Sequence, residues 1–232
     1  MNRIIGTSIE LPIIKFQNRD IINKIQSGKM YLKNLDWFRE YEKQTGDTVI
    51  GDMLEGMLHV SQGYMKITDL ECNESNFFTL NDTAIKTSFS NAYVFCSTNI
   101  VLTENGVAFN DDQKQELRTF GDSALIIKNK EEFINRICKA ANNMNYKVFY
   151  GPVNYYSKDE DNAYMFASLV EGIHNIAFWK RYDYSLQQEF RIVLWKEGMH
   201  DEHIEFEIDN ISDISEVLSI DEALKIKLER TQ

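Results

Sequence analysis

The sequence predicts a single α+β domain, with a mixed or mainly antiparallel sheet and peripheral helices. Short segments alternate apolar and polar residues in the two-residue period of strands. Between them lie capped segments of helical period. Across the 232 residues no repeat, low-complexity tract or linker divides the chain, and 43% apolar with 12% aromatic residues suffices for one sizeable core.

The elements follow in order. Ile13–Phe16 reads as a short strand entering a helix over Arg19–Ser27, with Ile21, Ile22 and Ile25 on one face and Gly28 placed as a left-handed cap. Lys29–Lys33 alternates as a strand, and Asn34 caps a helix from Leu35 to about Lys43 that carries Trp37, Phe38 and Tyr41. An acidic loop punctuated by glycines, Thr45–Gly56, holds Asp47, Asp52 and Glu55. Strands are expected at Met57–Ser61, Tyr64–Thr68, Phe77–Leu80 and Ala92–Thr98, and a short helix within the polar stretch Thr103–Gly121. After the apolar strand Ser123–Lys128, Asn129 and Glu132 have capping-box spacing, and Phe133, Ile134, Ile137, Cys138 and Ala141 follow at helical period. Lys147–Tyr156 is a strand broken at Gly151-Pro152, and Asp161–Val170 is a helix. A hairpin through Glu197-Gly198 leads into His203–Ile208, and Ser219 with Glu222 caps a final helix reaching about Leu228.

Composition narrows the function. The cysteines, Cys72, Cys96 and Cys138, are odd in number and widely spaced, which argues against a disulfide framework and a zinc knuckle and for a reducing cytoplasm. No run of about 18 apolar residues offers a membrane span, and Met1–Glu10 lacks the apolar stretch and small-residue site of a secretory signal. The formal net charge of −11 repels nucleic acid and suits a freely soluble protein or one that engages a basic partner. No Gly-x-Ser-x-Gly elbow, HExxH, Walker loop or Rossmann fingerprint is present. Asp47, Asp52 and Glu55 do not match a cation-binding loop, and His200 with His203 reads as a solvated turn, so no metal is expected.

The most informative segment is Gln187-Gln188-Glu189-Phe190-Arg191-Ile192-Val193-Leu194. As a strand it turns Gln187, Glu189 and Arg191 one way and Phe190, Ile192 and Leu194 the other. Glutamate is depleted in strands, so Glu189 is either pinned in an ion pair, with Arg191 or Lys180, or faces a pocket. Arg39 and Glu42 share a helix face, and Asp52 and Glu55 sit on a loop able to fold over it. That cluster is either a buried ion-pair network or a polar pocket for a nucleotide-like ligand. Tyr184 belongs to an aromatic stretch that is mostly core, yet it lies near enough to Glu189 to stack on a flat ring.

Tyr93-Val94-Phe95-Cys96-Ser97-Thr98 followed by Gln187-Gln188-Glu189 resembles the ADP-ribosyltransferase superfamily. The resemblance implies NAD bound in a cleft between two sheets, with Glu189 as the catalytic carboxylate stabilising a ribosyl cation. It further implies that Gln187 orients the acceptor, that Ser97 supports Glu189, and that Lys15 or Arg39 meets the pyrophosphate, with Tyr184 and Arg191 completing the cofactor site. More broadly, Gly28–Leu32, Trp37-Phe38-Arg39, Glu42, Gly51-Asp52, Glu55-Gly56, Tyr93 with Phe95-Cys96-Ser97, Lys180 and Gln188-Glu189-Phe190-Arg191 are similar to a group of uncharacterised bacterial and phage proteins from mobile elements and defence loci. This places Arg39, Glu42, Asp52 and Glu55 in one site with Glu189 and Arg191, and implies a role in phage–host conflict. Two other functions stay open on the same residues. One is a non-catalytic acidic inhibitor that blocks a basic, nucleic-acid-binding partner. The other is a module that holds a nucleotide without chemistry.

Overall fold

The computed structural model describes residues 11–68, 71, 73–100, 109–157, 159, 163–198 and 200–226. The α+β expectation holds: helices pack on an eight-stranded sheet whose pairings are all antiparallel.

At the centre of the sheet lies β5 (Tyr93–Asn99). One of its edges pairs along its length with β10 (Glu189–Trp195), which in turn pairs with β7 (Lys147–Pro152). Two strands share the other edge. β2 (Lys29–Asn34) takes its start, through Lys33 opposite Val94, and β1 (Ile13–Gln17) takes its end, through Ile14 opposite Thr98. β11 (His203–Glu207) extends the sheet beyond β2, and β6 (Ser123–Ile127) with β12 (Ser215–Ser219) extends it beyond β1. The hairpin expected between β10 and β11 does not form, because β11 crosses to β2 instead. Sequence patterning passed over β12 altogether.

Strand alternation explains the layers. Ile13, Tyr93, Phe95, Leu125, Ile127, Phe190, Ile192 and Leu194 face one way, onto α1 (Arg19–Gln26) and α4 (Lys130–Asn143), and form the main core. The other face carries two smaller clusters. One joins Ile14, Phe16 and Ile126 to Leu117 of α3 (Asp111–Arg118) and Ala223 of α6 (Ile220–Ala223). The second joins Val94 and Val193 to Leu35 of α2 (Leu35–Thr45) and to a 3-10 turn, Ile173–Phe178.

Local chemistry sets the boundaries. Asn34, Asn129 and Ser219 each accept a backbone N–H at their helix start, as the cap spacing predicts. Gly28 has φ of +99°, and a Cβ there would sit 2.2 Å from the carbonyl oxygen of Ile208, so a side chain is excluded twice over. The strands expected at Met57–Ser61 and Tyr64–Thr68 are one strand, β3 (Met57–Thr68), paired among the described residues with β4 (Ser75–Lys86) alone, in a long ribbon. The Lys147–Tyr156 segment breaks at Val153, giving β7 and β8 (Asn154–Tyr156), the latter parallel to β9 (Trp179–Arg181). The expected helix at Asp161–Val170 is α5 (Ala163–Glu171) within the described residues, and the ends expected near Thr103 and Leu228 lie outside them. Among the described residues no helix is long and apolar enough to cross a membrane.

Ile192 is fully buried between β5 and β7 in the main core. Ile192→Ala is expected to lower the unfolding free energy by about 3 kcal/mol, read as a shifted denaturation midpoint with an unchanged slope; a loss under about 1 kcal/mol contradicts the packing described.

Candidate functional site

The charged residues singled out by the sequence do converge, on the sheet face opposite the main core. Glu189 and Arg191 open β10 and share that face with Thr98 and Cys96, the residues directly across β5. Strand β10 begins at Glu189, because Gln188 adopts a left-handed conformation with φ of +44°. Gln187 therefore ends a 3-10 turn, Tyr182–Gln187, rather than a strand face.

Both oxygens of Glu189 are taken. Oε1 accepts from Lys180 Nζ at 2.6 Å and Oε2 from Arg191 Nε at 2.7 Å, with the residue 7% exposed. Arg191, 1% exposed, grips Glu55 with both terminal nitrogens at 2.7 and 3.0 Å and donates also to the carbonyl of Ala177. A fork matched to a carboxylate in this way is the strong form of an ion pair. Lys180 donates to Gln187 Oε1 at 3.0 Å as well. Next to it, Arg181 pairs with Asp52 at 3.1 Å and Glu42 at 3.4 Å, and with the hydroxyl of Tyr184 at 2.6 Å. Arg39 closes the far side through Asp36 and the carbonyls of Glu55 and Ser90.

The acidic loop is what this network holds down. Gly51 lies so close to α2 that a Cβ would come within 2.5 Å of Glu42 Cβ. That approach sets Asp52 beside Arg181, and Glu55 beside Arg191, and it lets Tyr184 donate to the Gly51 carbonyl at 2.8 Å. Tyr184 is thus bonded to the loop, Arg191 to two carboxylates and a carbonyl, and Arg39 to Asp36 and two carbonyls, with its Nε left without a hydrogen-bond partner among the described residues.

Lys15 has a different task. β1 pairs with β5 only through Ile13 and Ile14, and β2 only through Lys33 and Asn34, so among the described residues the edge of β5 between them has no partner strand. Lys15 Nζ reaches into that gap and donates to the Cys96 carbonyl at 2.8 Å, with the Phe95 ring 5.3 Å away. Beside it is a cavity of about 60 Å³ lined by Lys15, Phe16, Ser97, Thr98, Gln187 and Glu189, among others. Ser97 sits opposite Phe190, not Glu189, so its hydroxyl lies on the other side of the sheet and donates to the Phe190 carbonyl at 3.0 Å. Ser97 does not support Glu189. Gln187 Nε2 is bonded to the Val49 carbonyl and to Glu116, both at 3.0 Å.

Electrostatics follow from this geometry. Burial disfavours ionisation of Glu189, but Arg191 and Lys180 outweigh it and hold its carboxyl well below the usual range. Burial and the neighbouring Glu55 push Asp52 up to about 6, against the pull of Lys180 and Arg181. Asp52 Oδ2 is buried without a hydrogen-bond partner among the described residues. Burial lowers the Lys15 pKa and raises the Cys96 thiol to about 12, which leaves that thiol inert. Among the described residues no group of His, Cys, Asp and Glu is arranged to hold a metal.

The residues as arranged do not fit a dinucleotide. Pockets for such ligands enclose roughly 300–1,000 Å³, against about 60 Å³ here. What the fold and site define is an α+β domain whose buried charges close on one another. Protein-family models, curated proteins and solved structures all lack a match to this chain. Sequence reasoning placed Glu42, Asp52, Glu55, Lys180, Glu189 and Arg191 together but missed Arg181, whose alternation with Lys180 on a three-residue strand was the only signal.

Two carboxylates of one network are expected to respond oppositely to pH. Glu189→Gln leaves Lys180 and Arg191 under-compensated and should cost about 3 kcal/mol at neutral pH. Its pKa is depressed on folding, so this contribution is complete above the unfolded value and fades as pH falls through the folded one. The Asp52 pKa is raised on folding, so wild-type stability relative to Asp52→Asn should decline as pH climbs from about 4 to 6. Denaturation of the three proteins from about pH 2 to 7 checks both signs, Glu189 below about pH 4 and Asp52 above it; parallel curves contradict the network.

Proposed function

We propose that this is a non-catalytic binding protein that engages a basic protein partner through its acidic exterior. The resemblance to proteins of mobile elements and defence loci supports a role in phage–host conflict, and the net charge of −11 supports a basic, nucleic-acid-binding protein as the partner blocked. One observation carries the reading. Within the network Asp36, Glu42, Asp52, Glu55 and Glu189 oppose Arg39, Lys180, Arg181 and Arg191, five carboxylates against four cations. The network nearly cancels, five against four, so −10 of the formal net charge of −11 falls on the rest of the chain. A field of that sign and size accelerates and selects encounters with a positively charged surface.

A second reading, an ADP-ribosyltransferase using NAD, has one observation in its favour. Lys15, Ser97, Gln187 and Glu189 come from three separated stretches of the sequence and line one cavity. Against it stand the volume of that cavity, the two cations on Glu189 and the reversed face of Ser97.

Two assays separate the readings. Purified protein incubated with NAD should release no nicotinamide above buffer; turnover by wild type that Glu189→Gln abolishes while staying folded establishes the enzyme instead. Titration with protamine, a basic model partner, should give an association constant that falls steeply between about 50 and 300 mM salt. Absence of association at low salt refutes the binding reading.

A further inference from the structure

The open edge of β7 carries an inference that rests on the binding reading and says where the partner docks. β7 pairs with β10 along one side only, and among the described residues no strand covers the other. The bond from Val153 N–H to the Glu189 carbonyl, 2.9 Å, fixes the alternation of the ladder. Gly151 and Phe149, two and four residues back, direct their N–H and C=O groups to β10. Val148 and Tyr150 therefore direct theirs outward, and Pro152 offers a carbonyl but no N–H.

A groove of about 360 Å³ lies along that edge. Its wall includes four consecutive residues of β7, Phe149, Tyr150, Gly151 and Pro152. Neighbours on a strand point to opposite faces, so a space touched by all four runs beside the backbone itself. Opposite stand the end of α5 and the following 3-10 turn, where His174 stacks on Phe149 with ring centroids 4.2 Å apart. Glu171 is the one charged residue lining the groove. Within it Tyr150 is 56% exposed, apolar surface that the fold itself does not bury.

We propose that this edge and groove form a docking site for an extended, basic segment of the partner, which adds to β7 as a further strand. Strand addition draws affinity from main-chain hydrogen bonds and specificity from alternate side chains. The Tyr150 N–H and C=O supply the first. Apolar side chains entering between His174 and Phe178, and a cation set against Glu171, supply the second. The charge of the groove and the net charge of −11 favour a basic occupant over an acidic one and over a second copy of this chain.

The probe is a library of acetylated heptapeptides in which arginine alternates with varied apolar residues, read by fluorescence polarisation. The best members should bind wild type with Kd on the order of 10–100 µM. Tyr150→Ala removes the exposed ring alone and is the control, whereas Tyr150→Pro also removes an outward N–H, at an edge position that tolerates proline. Tyr150→Pro should weaken binding about ten-fold relative to that control, with an unchanged Tm. Glu171→Lys should weaken it about five-fold and transfer preference to the matching glutamate library. No member binding below about 1 mM, equal binding to Tyr150→Ala and Tyr150→Pro, or a wild-type dimer that Tyr150→Pro dissolves each overturns the proposal. The protamine titration keeps its failure distinct. Tyr150→Pro that binds protamine as wild type does, when wild type binds no peptide, removes the groove and leaves the binding reading intact. Wild type binding neither removes both.

Discussion

The bidentate pairing of Arg191 with Glu55 is the constraint around which the rest is arranged. It joins the most central region of the sheet to a loop with no strand or helix of its own. Taking a guanidinium and a carboxylate out of water is expensive, and their attraction compensates only when every remaining donor and acceptor is also matched. Here the matching spreads outward: Glu189 takes the third Arg191 nitrogen, Lys180 takes the second oxygen of Glu189, and Gln187 takes Lys180. Such a network adds little net stability over apolar packing. What it adds is position, since the loop has one placement that leaves no buried ion alone.

The gap between β1 and β2 shows the same economy at smaller scale. A central strand that loses its neighbour for three residues, Phe95 to Ser97, exposes a carbonyl that a hydrophobic core cannot satisfy. A lysine is long enough to reach it and flexible enough to lie along the Phe95 ring while doing so. The apparent convergence of Lys15, Ser97 and Glu189 on one cavity thus has a structural origin: it is the small space left where two strands diverge.

Much of this was legible in the chain. Two-residue alternation located β1, β2, β5, β6 and β10, and the caps at Asn34, Asn129 and Ser219 located their helices. The spacing of Glu189 and Arg191 placed both on one strand face. Three things were not legible. β12 alternates too weakly, because Ser215 and Ser219 flank a single Val-Leu pair. The partner of β11 depends on a crossover that local pattern does not encode. The face of Ser97 relative to Glu189 depends on register across β5, and a shift of one residue reverses it. That last point decided the site, for it separates a hydroxyl from the carboxylate it had been matched with.

The β3–β4 ribbon is anchored at its base, where His59 is buried against Tyr156 and bonded to Asp82. Farther out Tyr64 and Phe77 remain 83% and 70% exposed, and among the described residues nothing covers either face. Register in a sheet is enforced where one side is buried, so beyond the base only cross-strand pairing holds the two strands in step. The arm's reach is consequently a free parameter of the fold: matched pairs of residues can be trimmed from or spliced into both strands without disturbing the body that carries them.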